Sequence, residues 1–211
     1  MALVTSILNA QSLDQGADTI KLEPVDLAAT VVSAVGLIEP HDIDLGDGNL
    51  VERELRLHIP RGLAVLGDPM RVRQILINLL SNAIKYSPAG SPVEIAAHVT
   101  TEIATPPHRV KGHRAKRNLR RRMVEMTVRD YGLGIPPEQT DLLFHRFVRL
   151  PRDLASAISG NGLGLSLCQK LTVAMGGRIW VESTGVDGEG SMFHVLLPQA
   201  LDSEATREHD A

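Results

Sequence analysis

Three groups of residues in this chain have the types and spacing to hold a charged ligand. In the run from Arg73 to Pro88, Asn78, Asn82 and Lys85 recur at steps of four and three residues. On a helix turning about 100° per residue they fall within roughly 60° of one another, on the flank of a stripe made by Val72, Ile75, Leu76, Leu79 and Ala83. Asn is a mediocre helix former, so two of them one turn apart in a helix interior call for an explanation. Amide oxygens are hard ligands that can complete a magnesium shell, and an ammonium one turn further can meet phosphate. Taken alone, the three residues read as the polar shoulder of an amphipathic helix.

The second group is Asp130-Tyr131-Gly132-Leu133-Gly134-Ile135-Pro136, directly after a run with strand character. A carboxylate at a strand end, followed by glycines, offers an acceptor for an exocyclic amine and a backbone open enough for a flat base to approach. Alone it reads as a glycine-rich turn. The third group is Gly160-Asn161-Gly162-Leu163-Gly164-Leu165-Ser166-Leu167, glycines running into a helical pattern. Unpaired N–H groups at such a helix start, with its dipole, suit a phosphate chain. Its plain meaning is a flexible loop with a helix entry.

These groups need elements to position them. A helix is expected from Asp68, as N-cap with Pro69 behind it, to about Tyr86, and a second over Leu163–Met175, closed by Gly176-Gly177. A further helical pattern follows Pro24-Val25-Asp26, with Leu27, Val31, Ala34, Val35 and Ile38 on one side. Strands are expected at Glu54–Ile59, Val93–Val99, Met123–Arg129, Arg178–Ser183 and Met192–Leu197, the first of them half-buried by its alternation. The interleaving is irregular, which fits an α+β fold with helices on one face of a mixed sheet of about five strands. No GxxxxGK[ST] string and no dinucleotide-type G-x-G-x-x-G between strand and helix is present.

Bulk composition sets outer bounds. The chain has 211 residues, 43% apolar and 22% charged, enough for one ordinary globular domain with tails. It contains no apolar run of membrane-spanning length, and its first residues lack a basic leader. A cytoplasmic address is the expectation, with no membrane contact from this segment. The one cysteine, Cys168, lies among apolar residues at helical spacing and is expected to be a buried thiol. Between His108 and Arg122 stand eight Lys or Arg and no acid, although the net charge of the chain is -3.

In this order, the strings resemble the boxes of the catalytic domain of sensor histidine kinases, within the GHKL ATPase superfamily. RQILINLLSNAIKYSP resembles the N box, DYGLGIP the first glycine box, LLFHRFVRL the F box and GNGLGLSL the second glycine box. GGRIWVESTGVDGEGSMFHVLLP resembles the closing part of that domain. The resemblance covers about Pro24 to Pro198 and implies a Bergerat-type ATP-binding fold, a two-layer α/β sandwich. It implies ATP and Mg2+ as ligands, with Asn82 as metal ligand and Asn78 as second contact. Lys85 would meet phosphate, Tyr86 would lie against adenine, and Asp130 would accept from its exocyclic amine, with Ser191 joined to the base through water. Gly132, Gly134 and Ile135 would shape the base pocket, and Gly162, Leu163, Gly164 and Leu165 would hold the phosphates. Residues 147–161 would form the lid, anchored by the apolar side chains of Phe144 and Phe147, with Phe147 also among the residues that would contact ATP. Arg149 and Arg152 read as solvated lid charges within reach of phosphate.

The implied organisation is a remnant of an upstream dimerisation helix and linker at 1–22, the ATP-binding domain at 23–200, and a tail at 201–211. The implied activity is phosphorylation of a histidine on a dimerisation helix hairpin, followed by transfer to a response regulator. No histidine here stands in the acid-rich helical setting of a phosphoacceptor. His41-Asp42 comes nearest, after Pro40 and before a turn-rich stretch, and reads as an ordinary exposed residue. The chain alone is therefore expected to be a monomer unable to phosphorylate itself, its parent a dimer with or without a membrane anchor. His145 and Val148 stand where the F box usually carries an acid and an aromatic.

The basic insertion at 106–122 is expected to be disordered or the extended tip of a hairpin. It could dock an acidic partner, whereas nucleic acid is disfavoured because the segment has no aromatic to stack on bases. Two rival classes remain open: another GHKL ATPase or anti-sigma-type serine kinase, and a nucleotide-binding module without turnover that docks its partner through the insertion.

Overall fold

The computed structural model describes residues 20–38, 53–103, 120–150, 152 and 161–200. The segment 3–13, His41-Asp42, residues 106–119 of the basic insertion, most of the expected lid and the tail 201–211 lie outside the described residues.

Strand β1 (Glu23–Asp26) runs into helix α1 (Leu27–Val35), where the Asp26 carboxylate caps the helix by accepting from Ala29 N–H at 2.8 Å. Strands β2 (Leu55–His58) and β3 (Ala64–Gly67) follow, then helix α2 (Pro69–Lys85). Next come β4 (Val93–Ile103), β5 (Arg120–Arg129), two short 3-10 turns at Pro137–Gln139 and Asp141–Phe144, helix α3 (Gly164–Ala174), β6 (Arg178–Glu182) and β7 (Met192–Pro198). Five strands form one mixed sheet in the order β2-β4-β5-β7-β6, parallel between β2 and β4 and antiparallel elsewhere.

Side chains alternate across this sheet as the pleat requires. Ile95, Ala97, Val124, Met126, Val128, Ile179, Val181, Phe193, Val195 and Leu197 point into one core. Helix α2 closes that core with Val72, Ile75, Leu76, Leu79 and Ala83, the stripe expected from the sequence, and with Leu80 in addition. Helices α1 and α3 add Leu27, Val31, Leu167 and Leu171 to the same core. The result is the two-layer α/β arrangement expected, helices over one face of a five-stranded mixed sheet.

Four details differ from the sequence reading. A second, two-stranded antiparallel ladder joins β1 to β3, and neither strand was expected, because four residues are too few to show a period. Leu57, expected inside by alternation, is 46% exposed, since β2 is an edge strand whose residues beyond Leu55 lie open. Strand β4 runs on to Ile103, and β5 starts at Arg120 rather than Met123. Arg120, Arg121 and Arg122 therefore belong to the β4–β5 hairpin, paired with Ile103, Glu102 and Thr101, and stand exposed where their repulsion is screened.

Candidate functional site

The site is assembled at the ends of α2, β5 and the entry to α3. Asp68 starts α2 by accepting from the N–H groups of Met70 (3.0 Å) and Arg71 (3.2 Å), two donors with no partner inside the helix. Pro69 lacks an N–H and so costs nothing at that position. This start fixes the rotation of α2, burying its apolar stripe and turning Asn78, Asn82 and Lys85 toward the first glycine loop and α3.

At the far end of α2 the chain is held by contacts remote in sequence. Tyr86 N–H still bonds to Asn82 O (3.0 Å), while the Tyr86 carbonyl accepts from Leu133 N–H at 3.1 Å. Gly132 lies so close beneath that a Cβ there would collide with the same Tyr86 oxygen, so position 132 admits only glycine. The loop after β5 thus rests directly on the end of the helix that carries the asparagines.

Asp130, the first residue of that loop, is 3% exposed. Its carboxylate accepts from Ser191 Oγ–H at 2.7 Å and from Gly132 N–H at 2.9 Å, and its own N–H donates to Ser191 O at 2.9 Å. Burial pushes this carboxyl above the usual carboxylate range, and the bonds from Ser191 and Gly132, with the nearby Arg53 guanidinium, oppose the shift. An ionised carboxylate has about four acceptor positions, so acceptors remain toward the cavity after these two bonds. Ser191 bonds to Asp130 directly, and this contact spans 61 positions of sequence.

One cavity of about 180 Å³ is lined by both Asp130 and Asn82, which is the juxtaposition the resemblance requires. Of the expected site residues, Asn78, Asn82, Lys85, Tyr86, Asp130, Gly134, Ile135, Gly162, Gly164, Leu165 and Ser191 line it. Gly132 and Leu163 do not line it but support it, the former through the close approach described above and the latter as the residue before α3. The sequence reading assigned no role to Ser81, Leu143, Val148, Leu150, Asn161 and Phe193, which also line it. Most of these are ordinary apolar or small polar residues with no local signature. All six nevertheless stood inside strings already recognised, Ser81 in the N box, Leu143, Val148 and Leu150 in the F box, and Asn161 and Phe193 in the later two, and could have been drawn from them.

Phe147 is a correction. It was expected as an apolar anchor of the lid and an ATP contact, yet it does not line the cavity and is 70% exposed, with its backbone in the left-handed region at φ 64°. Its N–H donates to Gly162 O at 2.9 Å, and Gly162 is itself at φ 66°, which a glycine tolerates without strain. Phe147 thus pins one end of the 147–161 segment to the other through its backbone, and its ring takes no part in the core. Phe144, by contrast, packs against the core as expected. Arg152 is a second correction only in being no solvated charge: its guanidinium is partly buried and donates to the carbonyls of Leu133 (3.1 Å) and Gly134, bracing the first glycine loop, while the residue still lines the cavity. Arg149 lies on the cavity wall.

Asn78 sits between two helices. A Cβ built on Gly164 would stand 3.4 Å from Asn78 Oδ1, and one turn along α3 the Cys168 thiol lies 4.0 Å from Ile75 O of α2. Cys168 is fully buried as expected, and burial pushes its thiol up to about 12, which keeps it protonated and chemically quiet.

A magnesium ion needs oxygen ligands, and the fit can be judged from the donors present. The described residues contain no cluster of three or more His, Cys, Asp or Glu able to cage a metal. The cavity wall instead offers the amides of Asn78 and Asn82, and Ser81, beside the N-terminus of α3. Such a donor set suits an ion that keeps waters and takes its remaining ligands from phosphates.

Comparison with known proteins agrees with this geometry. The chain is 40% identical over 149 residues to the adaptive-response sensory kinase SasA of Synechococcus elongatus, covering 70% of this chain and 32% of that protein. A relative of the same name from Synechococcus sp. strain CC9311 is 33% identical over 182 residues, 86% of this chain and 41% of its own length. The chain thus spans about a third of the length of the curated relatives it matches. Among solved structures, full-length ShkA in complex with AMPPNP is similar with a TM-score of 0.67 and 26% identity, over 94% of this chain and 35% of that one. The mycobacterial sensor histidine kinase MprB shares the fold, with a TM-score of 0.61 and 24% identity over 85% of this chain and 98% of its own. The sequence profile of the histidine kinase-, DNA gyrase B- and HSP90-like ATPases matches residues 67–201, and the chain belongs to that family.

Proposed function

We propose that this chain binds Mg-ATP and donates the γ-phosphoryl group to a histidine on a dimerisation helix hairpin, as the catalytic part of a two-component sensor kinase. The observation that carries the reading is that one cavity is lined both by the buried Asp130 and by Asn78, Asn82 and Lys85, together with Gly164 at the start of α3. The similarity to sensory kinases supports the reaction class.

In this reading Asp130 accepts from the exocyclic amine of adenine, and Ser191 and Gly132 hold the carboxylate in place to do so. Ile135, Gly134 and Tyr86 bound the base, Lys85 meets phosphate oxygens, and the N–H groups at the start of α3 receive the phosphate chain. Asn82 and Asn78 hold a magnesium ion, which when bound neutralises charge on the β- and γ-phosphates. The protein supplies orientation and electrostatics. An imidazole nitrogen of the incoming histidine attacks the γ-phosphorus in line, the bond to the β-phosphate oxygen breaks, ADP leaves, and the imidazole proton is lost to solvent. A response regulator then receives the phosphoryl group.

The test supplies a separately produced histidine-bearing hairpin domain together with this chain and γ-labelled ATP. Acid-labile label on the hairpin, and none on the chain alone, is the expected result. Acid-stable phosphoserine on a partner would instead place the chain with serine kinases of the same superfamily, and ATP binding without any transfer would make it a nucleotide-binding module.

A further inference from the structure

Arg53 lies ahead of β2, outside every string that suggested a nucleotide site. Its guanidinium donates to Ser87 Oγ at 2.7 Å, and to the carbonyl oxygens of Ser91 (2.9 Å), Pro88 (3.0 Å), Ile84 (3.3 Å) and Ser87 (3.4 Å). Ile84 belongs to the last turn of α2, whose carbonyls have no acceptor role left inside the helix, and residues 87–91 form the turn that leads to β4. A planar fork of fixed donors is suited to binding several oxygens at once, which a lysine could not match. Ser87 completes the clamp by donating its hydroxyl to Ala83 O.

The backbone that Arg53 grips is the backbone on which the first glycine loop rests. Tyr86 O accepts from Leu133 N–H, and Gly132 abuts Tyr86 and Ser87 closely enough to exclude any Cβ. Gly132 N–H in turn holds one oxygen of Asp130. A continuous path of contacts therefore runs from Arg53, through residues 84–88, through Gly132 and Leu133, to the buried carboxylate. Arg53 is absent from the cavity wall, and its hydrogen bonds go to residues 84, 87, 88 and 91. Arg53 and Asp130 also attract each other electrostatically.

We propose that Arg53 is a positioning residue for base recognition: it clamps the end of α2 against the first glycine loop and so fixes the Asp130 carboxylate where a purine amine can meet it. The inference rests on the nucleotide reading above. A residue that merely capped α2 would support the whole domain and weaken every ligand alike. A residue that positions Asp130 affects the adenine end more than the phosphate end, because Asp130 is reached through the clamped residues 84–88 and Gly132, whereas the phosphates, though Asn82 and Lys85 lie on α2, also rest on the N–H groups at the start of α3.

The experiment measures dissociation constants for ATP, GTP and magnesium tripolyphosphate on the wild-type chain, Arg53→Gln and Ser87→Ala, with thermal unfolding of each. Loss of one charged hydrogen-bonding clamp predicts that Arg53→Gln weakens ATP by about tenfold while GTP and tripolyphosphate stay within about twofold, so the preference for ATP over GTP falls about tenfold. Ser87→Ala, which removes one acceptor of the fork, shifts the same ratio in the same direction by less, and carries the test if Arg53→Gln does not fold. Equal weakening of all three ligands, or an unchanged ATP preference in a folded variant, overturns the proposal. Wild-type chain that binds no ATP removes the nucleotide reading itself, and this inference with it.

Discussion

Replacing Asp130 by Asn separates recognition from stability. The carboxylate is buried, with Ser191 Oγ–H at 2.7 Å on one oxygen and Gly132 N–H at 2.9 Å on the other. An amide in its place can keep its oxygen toward Gly132 N–H and turn its NH2 toward Ser191, whose hydroxyl rotates to accept, so no protein group is orphaned. A bound adenine amine fares worse: it meets a neutral acceptor in place of a charged one, or a donor in place of an acceptor. A hydrogen bond to a charged group is worth about 1.5–3 kcal/mol, so the expected loss is roughly 10- to 150-fold in ATP affinity. Folding responds in the opposite direction. Because burial raises the Asp130 pKa above its ordinary 3.8, its contribution to stability is fully present below that value and is lost as pH rises through the raised folded value. At neutral pH the buried charge is a cost that Asn does not carry, so the variant should melt no lower than wild type.

Calorimetric titration with ATP, and thermal unfolding, each over a series of pH values, check both halves. On acidification the wild type should lose affinity as Asp130 takes up its proton, beginning above the usual carboxylate range, until it converges on the variant. Wild-type ATP affinity in Asp130→Asn would refute the reasoning, and so would a loss of affinity that merely followed a lowered melting temperature.

Three more outcomes follow from the same geometry. Gly132→Ala drives a methyl group into the Tyr86 carbonyl and should abolish ATP binding and lower the melting temperature, whereas Gly164→Ala, whose Cβ would stand 3.4 Å from Asn78 Oδ1, should leave the melting temperature close to wild type. Asn82→Ala should remove most of the increment that magnesium adds to ATP affinity while leaving affinity measured in a chelator unchanged, as parallel titrations would show. The single thiol, Cys168, pushed up to about 12, should resist a thiol reagent at about pH 8 in the folded chain and react once denaturant opens the core. Rapid labelling of the native chain would contradict its burial.

Local signals made the helices and most of the cavity legible. The Asp68 cap, Pro69 and the stripe from Val72 to Ala83 are all written within one stretch of chain, and the asparagines follow from the rotation those residues impose. Asp130 and the glycines, each string reading alone as a turn or loop, became legible through the order of the strings, which resembles that of the family. What was missed depends on contacts between distant segments. Arg53 reaches 31 to 38 positions along the chain, and before a strand it reads as one polar residue among Glu52, Glu54 and Arg56. The β1–β3 ladder joins two four-residue strands, one holding a proline, neither long enough to show alternation. For the arginines at 120–122 disorder and an extended hairpin both stayed open, since charge repulsion is visible in sequence while the pairing partners Thr101–Ile103 are not. Phe147 misled because an aromatic residue suggests burial, and its backbone pairing with Gly162 leaves no trace in residue type.

A crystal structure of this chain with magnesium and a non-hydrolysable ATP analogue tests the central claim most directly. The account predicts the adenine amine within hydrogen-bonding distance of the Asp130 carboxylate, and the metal bound through the Asn82 side-chain oxygen beside the phosphates at the start of α3. A nucleotide found elsewhere, or bound in this cavity with its base turned away from Asp130, would contradict it.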